Sequence, residues 1–196
     1  MLQFVKASLM EANEGLSQLI ANEKTLTQIT SAAELLSQCF EKKGHVWSCG
    51  NGGSMCDAMH FAEELSGRFR KNRPALGAIA MADAAHLSCT ANDFGFDYVF
   101  SRFLEAHGRE GDVLVAISTS GNSKNVLEAA KVARDLGIKT VFLTGKAESA
   151  ISSYADIEIC TPAGRYADRV QELHIKVIHI LIELVERKLF NETYED

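Results

Sequence analysis

His60 and Glu64 stand four residues apart in His60-Phe61-Ala62-Glu63-Glu64-Leu65. On a helix that spacing puts an imidazole and a carboxylate on one face, the pairing used for proton transfer or for holding a divalent cation. Glu63 is the alternative at i+3, and Glu64 is the closer match in angle. Far along the chain, Gln171, His174, Ile175 and His179 fall on a second helical stripe. Gln171 and His179 are about two turns apart and can face one pocket. Two imidazoles, a carboxylate and an amide oxygen from two helices make a nitrogen and oxygen set suited to zinc. They suit general acid–base chemistry without a metal equally well. Each piece also has an ordinary reading. A His–Glu pair at i, i+4 is a common surface salt bridge, and His179 sits in the apolar run Ile175–Ile182, where a core hydrogen bond would satisfy it.

Two loops supply the rest of the chemistry. Ser118-Thr119-Ser120-Gly121-Asn122-Ser123 places four hydroxyls and a glycine between a buried strand and a helix start. Unpaired N–H groups and a partial positive charge at that point suit a phosphate dianion. The plainer alternative is a helix cap with spare serines. Cys49-Gly50-Asn51-Gly52-Gly53-Ser54 is also glycine-rich, but neither loop has the G-x-x-x-x-G-K-[ST] or G-x-G-x-x-G spacing. A nucleotide is therefore disfavoured, and a phosphate carried on a small molecule fits. Asn92-Asp93 reads as part of a loop between two short helices, an Asx cap first and a binder of sugar hydroxyls second. His45, His86 and His107 lie near element ends and read as structural or exposed.

These residues need elements to hold them. Residues 1–43 read as two helices, with Phe4, Leu9, Leu16 and Ile20 on one stripe, Leu26, Ile29, Ala33, Leu36 and Phe40 on the next, and Gly44 as the stop. From His45 the pattern alternates strand, loop and helix. Strands are expected at 45–49, 78–81, 112–117, 140–143 and 157–160, a helix from the first glycine loop to about Phe69, and a last helix over about 165–190. The polar tail 190–196 is expected to fray. That alternation predicts an α/β fold, a doubly wound parallel sheet of about five strands, as one domain over 1–196. Both loops follow strands directly, so both should open at the carboxyl edge of the sheet, where such folds bind ligands.

Composition narrows the classes. Twenty basic against 26 acidic residues give a net charge of −6, which disfavours a nucleic-acid partner. No stretch is apolar enough to span a membrane, and the N-terminus lacks a signal-peptide pattern. Five cysteines without a C-x-x-C pair read as reduced thiols, hence a cytoplasmic protein.

The two loops, the His60–Leu65 segment, Asn92-Asp93-Phe94-Gly95-Phe96 and Gln171–His179 together resemble the sugar isomerase (SIS) domain family, and within it the phosphoheptose isomerases, over almost the whole chain. The resemblance implies an SIS-type fold. It also implies an aldose–ketose isomerase converting D-sedoheptulose 7-phosphate to D-glycero-D-manno-heptose 7-phosphate through an enediol. That step would open ADP-heptose synthesis for the lipopolysaccharide core. Carried over by position, Ser118, Thr119, Ser120 and Ser123 would hold the phosphate. Asn51, Gly52, Gly53, Ser54, Glu64, Asn92, Asp93 and Gln171 would contact the substrate. His60, Glu64, Gln171 and His179 would bind one zinc per subunit, with Glu64 as base and His179 as partner acid, so that Glu64 is asked to do two jobs. Similar proteins are cytoplasmic homotetramers, which would give the N-terminal helices a role in assembly. Two alternatives share the fold: a non-enzymatic scaffold that binds the bacterial replication initiator, and an SIS isomerase of another phosphosugar. The scaffold lacks the acidic pair and the Gly52-Gly53 pattern that are intact here.

Overall fold

Val113-Leu114-Val115-Ala116-Ile117 has no polar side chain to turn toward water on either face, so it must be covered on both. In the computed structural model, which describes residues 1–194, this run forms the middle of a five-stranded sheet. The elements in chain order are helices α1 (Leu2–Ala21) and α2 (Glu23–Glu41), strand β1 (Val46–Cys49), α3 (Gly53–Ser66), β2 (Ala78–Ala80), α4 (Ala84–Asp93), α5 (Val99–His107), β3 (Val113–Ser118), α6 (Lys124–Asp135), β4 (Lys139–Thr144), β5 (Ile157–Cys160) and α7 (Ala167–Leu189). All pairings are parallel, in the order β2-β1-β3-β4-β5. The chain steps from β1 to β2 on one side and then crosses to β3 on the other. The strand order therefore reverses between β1 and β3, and the two loops flank that switch point.

Alternate residues of β3 enter two cores. Val113, Val115 and Ile117 pack with Leu36 of α2, Phe61 and Leu65 of α3, and Val177 and Leu181 of α7. Leu114 and Ala116 pack with Phe100 and Leu104 of α5 and Val126 and Ala129 of α6. The two N-terminal helices part ways. The α2 stripe Ile29, Ala33, Leu36 and Phe40 is buried in the first core. In α1 only Gly15 and Leu19 are buried, while Phe4, Leu9 and Ile20 are 67%, 66% and 62% exposed. Of its apolar stripe, Leu16 packs against the first core, while Phe4, Leu9 and Ile20 find no cover among the described residues.

Several boundaries differ from the sequence expectation. Thr90–Asp93 is the last turn of α4 and not a loop. An Asx cap does occur, but at the start of that helix, where Asp83 accepts from the His86 amide at 2.7 Å. The α2 terminus is left-handed at Lys43 (φ 61), one residue before Gly44. Helix α3 stops at Ser66, three residues short of Phe69. The tail turns once more in a 3-10 helix at Asn191–Thr193, and the Tyr194 hydroxyl donates to Glu186 at 2.6 Å, so this stretch is anchored; Glu195 and Asp196 lie outside the described residues. Among the described residues, no helix is long and apolar enough to cross a membrane.

One buried carboxylate ties the start of the sheet together. Asp112, 3% exposed, accepts from the His45 amide (2.8 Å), the Trp47 indole (2.9 Å) and the Arg109 amide (3.0 Å). Asp112→Ala leaves three donors unsatisfied and should cost about 3 kcal/mol in a urea unfolding titration. Asp112→Asn keeps one acceptor oxygen for two of these donors and should cost less.

Candidate active site

Helix α3 carries Phe61 and Leu65 on its core face, and the adjoining face presents His60 and Glu64 toward α7. His60 Nε2 lies 3.1 Å from His179 Nε2 and 3.4 Å from Glu64 Oε1. The His60 nitrogen thus has His179 on one side, from the other helix, and Glu64 on the other, from its own. The exposed Glu63 adds a carboxylate oxygen, with the donor atoms of His60, Glu63 and Glu64 all within 4.8 Å of one another. Phe69 stacks on the His179 ring at 5.7 Å, and the Arg70 guanidinium lies over Phe69 at 5.0 Å. Burial and then the facing His60 push the His179 pKa down, against the pull of Glu64. His179 is therefore a neutral imidazole at neutral pH, able to accept a proton or to donate a lone pair to a metal.

The spacing of the two imidazoles passes a simple test for zinc. Two nitrogens bound to one tetrahedral zinc at roughly 2.0–2.1 Å lie about 3.3 Å apart, close to the His60–His179 separation. A neutral nitrogen, oxygen and nitrogen set is also the right donor chemistry.

Gln171 stands apart from these groups. A Cβ on Gly53 would meet both Gln171 amide atoms at 2.7 Å, so this glycine is what lets the α7 amide rest on the first turn of α3. Among the described residues Gln171 makes no hydrogen bond to His60, Glu64 or His179, and it would have to turn away from Gly53 to join them. His174 diverges from the sequence expectation as well. It faces the core at 0% exposure, and neither ring nitrogen reaches a hydrogen-bond partner among the described residues. Burial pushes its pKa down to about 4, with only the Thr144 backbone pulling the other way.

The hydroxyl loop is shaped as a cradle. Ser118 and Ser123 bring their Oγ atoms to 3.0 Å, and the Asn122 amide donates to Ser120 Oγ at 3.2 Å. Gly121 holds φ at 65° with Ser149 close above it, a conformation and a clearance that favour glycine. Ser123 occupies the cap position of α6 but makes no side-chain cap bond. The plain capping role is therefore not the one its hydroxyl plays, and the helix start keeps its anion-attracting character. Thr119 and Ser120 open onto a cavity of about 300 Å³ whose other walls include Gly145, Arg165, Tyr166 and Val170. Val170 immediately precedes Gln171, so the cavity runs from the cradle toward α7.

Asn51 joins the two loops by an exchange of amides with Asn125: each donates to the other, at 2.9 and 2.8 Å. Its side chain is thus occupied, while Gly52 and Gly53 remain exposed beside it. Ser54 is buried at 4% and faces inward. Asn92 and Asp93 are exposed at the end of α4 and bond to each other at 2.7 Å. No hydrogen bond among the described residues joins them to the other site residues.

Sequence reasoning missed Asp57 and Asn125. Asp57 lies one turn before His60 on α3, and one carboxylate oxygen is buried without a partner among the described residues. Burial pushes its pKa up to about 6, with His60 pulling it back. The spacing of seven from Asp57 to Glu64 was its only signal, whereas Asn125 had none, because its partner lies 74 positions away.

The chain is similar to known proteins over nearly its whole length. A family model for the SIS domain matches residues 9–145. Phosphoheptose isomerase from Haemophilus ducreyi is 56% identical over 185 residues, covering 94% of this chain and 95% of that protein. The enzyme of the same name from Aeromonas hydrophila is 55% identical over 187 residues, covering 95% and 97%. Among solved structures, phosphoheptose isomerase from Neisseria gonorrhoeae superposes with a TM-score of 0.85 at 40% identity, covering 95% of this chain and 99% of that one. The Francisella tularensis protein gives 0.87 at 32% identity, with coverages of 95% and 98%.

The buried His174 sets a pH dependence. With its folded pKa near 4 and its ordinary value of 6.5, the unfolded chain binds the proton first on acidification. Its contribution is full above about pH 6.5 and is lost as pH falls toward 4, up to roughly 3 kcal/mol in all. In denaturant titrations across that range, His174→Leu should show a flatter acid limb than the parent.

Proposed function

The chain belongs to the SIS domain family, and from that premise we propose that it interconverts D-sedoheptulose 7-phosphate and D-glycero-D-manno-heptose 7-phosphate. Within the family it groups with the phosphoheptose isomerases, and it is an isomerase. The observation that carries the proposal is the meeting of His60, with Glu64 beside it, and His179 along the seam between α3 and α7, the helix α3 itself starting at the sheet edge that presents the hydroxyl cradle.

Moving a carbonyl from C2 to C1 requires a proton taken from C1 and one delivered to C2. Glu64 takes the C1 proton and returns it at C2 after the enediol forms. The neutral His179 imidazole, where its Nε2 is free, accepts the O1 proton and passes it to O2; zinc on that nitrogen would take its lone pair and would supply polarisation of O1 and O2 in place of this relay. Ser118, Thr119, Ser120 and Ser123, with the first amides of α6, hold the phosphate at the far end of the sugar. Gly52 and Gly53 let its carbon chain approach the backbone, and Asn92, Asp93 and Gln171 meet its hydroxyls. His60, His179 and one oxygen of Glu64 would hold zinc, with Gln171 turning in as a fourth ligand. The second Glu64 oxygen is left to act as base, which reconciles its two jobs. Bound there, zinc supplies Lewis acidity toward the substrate's carbonyl and hydroxyl oxygens.

The enzyme would serve as the first step of ADP-heptose synthesis for the lipopolysaccharide core, in the cytoplasm, as a homotetramer. The uncovered α1 stripe supports assembly, since Phe4, Leu9 and Ile20 form an apolar surface that a second copy can bury.

Glu64→Gln should lower turnover of sedoheptulose 7-phosphate by roughly 10²–10⁴-fold; near-normal rates would remove Glu64 from the reaction. Dialysis against a chelator should abolish activity, and zinc should restore it. Phe4→Glu combined with Leu9→Glu should reduce the assembly mass seen by light scattering, and an unchanged tetramer would place the interface elsewhere.

A further inference from the structure

The second helix pairing below the site is held by a buried ion pair that the reaction does not use. Arg73 and Glu186 have side chains 1% and 2% exposed, with Arg73 Nε donating to Glu186 Oε1 at 2.7 Å. The same guanidinium closes the end of α3. Its Nη2 donates to the Glu64 carbonyl at 2.6 Å, and its Nη1 to the Leu65 carbonyl at 2.7 Å and the Gly67 carbonyl at 3.2 Å. A helix C-terminus leaves such carbonyls without partners and concentrates negative charge there, which a cation offsets. The other Glu186 oxygen accepts from the Tyr194 hydroxyl at 2.6 Å, and the Arg187 guanidinium lies 4.4 Å over the Tyr194 ring. Burial and the Glu186 contact push the tyrosine pKa up to about 12, so it stays a donor.

The placement of this cluster gives it a job. Glu186 is two turns beyond His179 on α7, and the carbonyl that Arg73 grips is that of Glu64 itself. At the other end, Gln171 rests on Gly53. The imidazole–carboxylate cluster therefore lies between two ties joining α3 to α7, and sliding or rolling of either helix would change its spacing. We infer that Arg73, Glu186 and Tyr194 are positioning residues, which set the separation of His60 and Glu64 from His179 and make the C-terminal segment part of the active-site support. The inference rests on the reaction and zinc site proposed above.

Arg73→Lys keeps the charge but not the planar fork that reaches several carbonyls and a carboxylate together. Tyr194→Phe removes a single hydroxyl and should fold normally. Zinc affinity, read by competition with a chelating dye, should weaken roughly 10–100-fold in Arg73→Lys and a few-fold in Tyr194→Phe. The kcat for sedoheptulose 7-phosphate should fall in the same order, with KM little changed because the phosphate cradle belongs to α6. Variants that melt at lower temperature yet bind zinc and turn over like the parent when folded would overturn the inference and leave a purely structural pair. A parent protein that binds zinc but leaves the sugar phosphate unchanged would instead overturn the proposed reaction, with the dye measurement still deciding the positioning role. A parent that does neither overturns both.

Discussion

His60 and His179 are 119 positions apart in the chain, and they meet because α3 and α7 bury their apolar faces against the same side of the sheet. Phe61 and Leu65 on one helix and Val177, Ile178 and Leu181 on the other are fully buried in a shared core. The polar residues beside them are thereby pressed together along the line where the helices touch. Burial of apolar surface supplies the energy, and the close packing of a protein interior makes the resulting distance specific. The rest of the site is arranged around that seam.

The sheet provides the second coordinate. Since strand order reverses between β1 and β3, the helices that follow them cover opposite faces, and the loops leaving Cys49 and Ser118 are left side by side at the carboxyl edge. Such a crevice separates tasks in space. The start of α6 offers hydroxyls and amide dipoles to an anion, while the α3–α7 seam holds imidazoles and a carboxylate, groups of the kind that can move protons. A sugar phosphate has the same division: a charged end that needs holding and a carbonyl end that needs chemistry. Holding the charged end by fixed dipoles also suits an acidic protein, because no cluster of lysines and arginines is required to attract it.

The residues legible in the sequence were those whose placement follows from local spacing. His60 and Glu64 share a helix face at i, i+4, and the β3 run could only be a strand buried on both sides. The hydroxyl loop was readable because it joins that strand to a helix. Residues whose role depends on contacts distant in sequence were not legible. Asn125 pairs with Asn51, Arg73 pairs with Glu186, and His174 is turned inward although its stripe also carries Gln171. The helical wheel places His174 near the site side of α7, and only the packing of the folded chain around it, the Thr144 backbone of β4 included, decides that it is buried. Thr90–Asp93 misled for a related reason: polar residues end an exposed helix as readily as they make a loop.

The amide exchange between Asn51 and Asn125 has a chemical consequence for the life of the protein. Asn51 is followed by Gly52, and with no side chain to obstruct it, such a pair is where an asparagine most readily cyclises onto the next backbone nitrogen and deamidates. Here the amide must first break two hydrogen bonds to begin that reaction. Folding thus shields a loop whose sequence alone would mark it for ageing, and the conversion of Asn51 to an acid becomes a clock that runs chiefly in the unfolded chain.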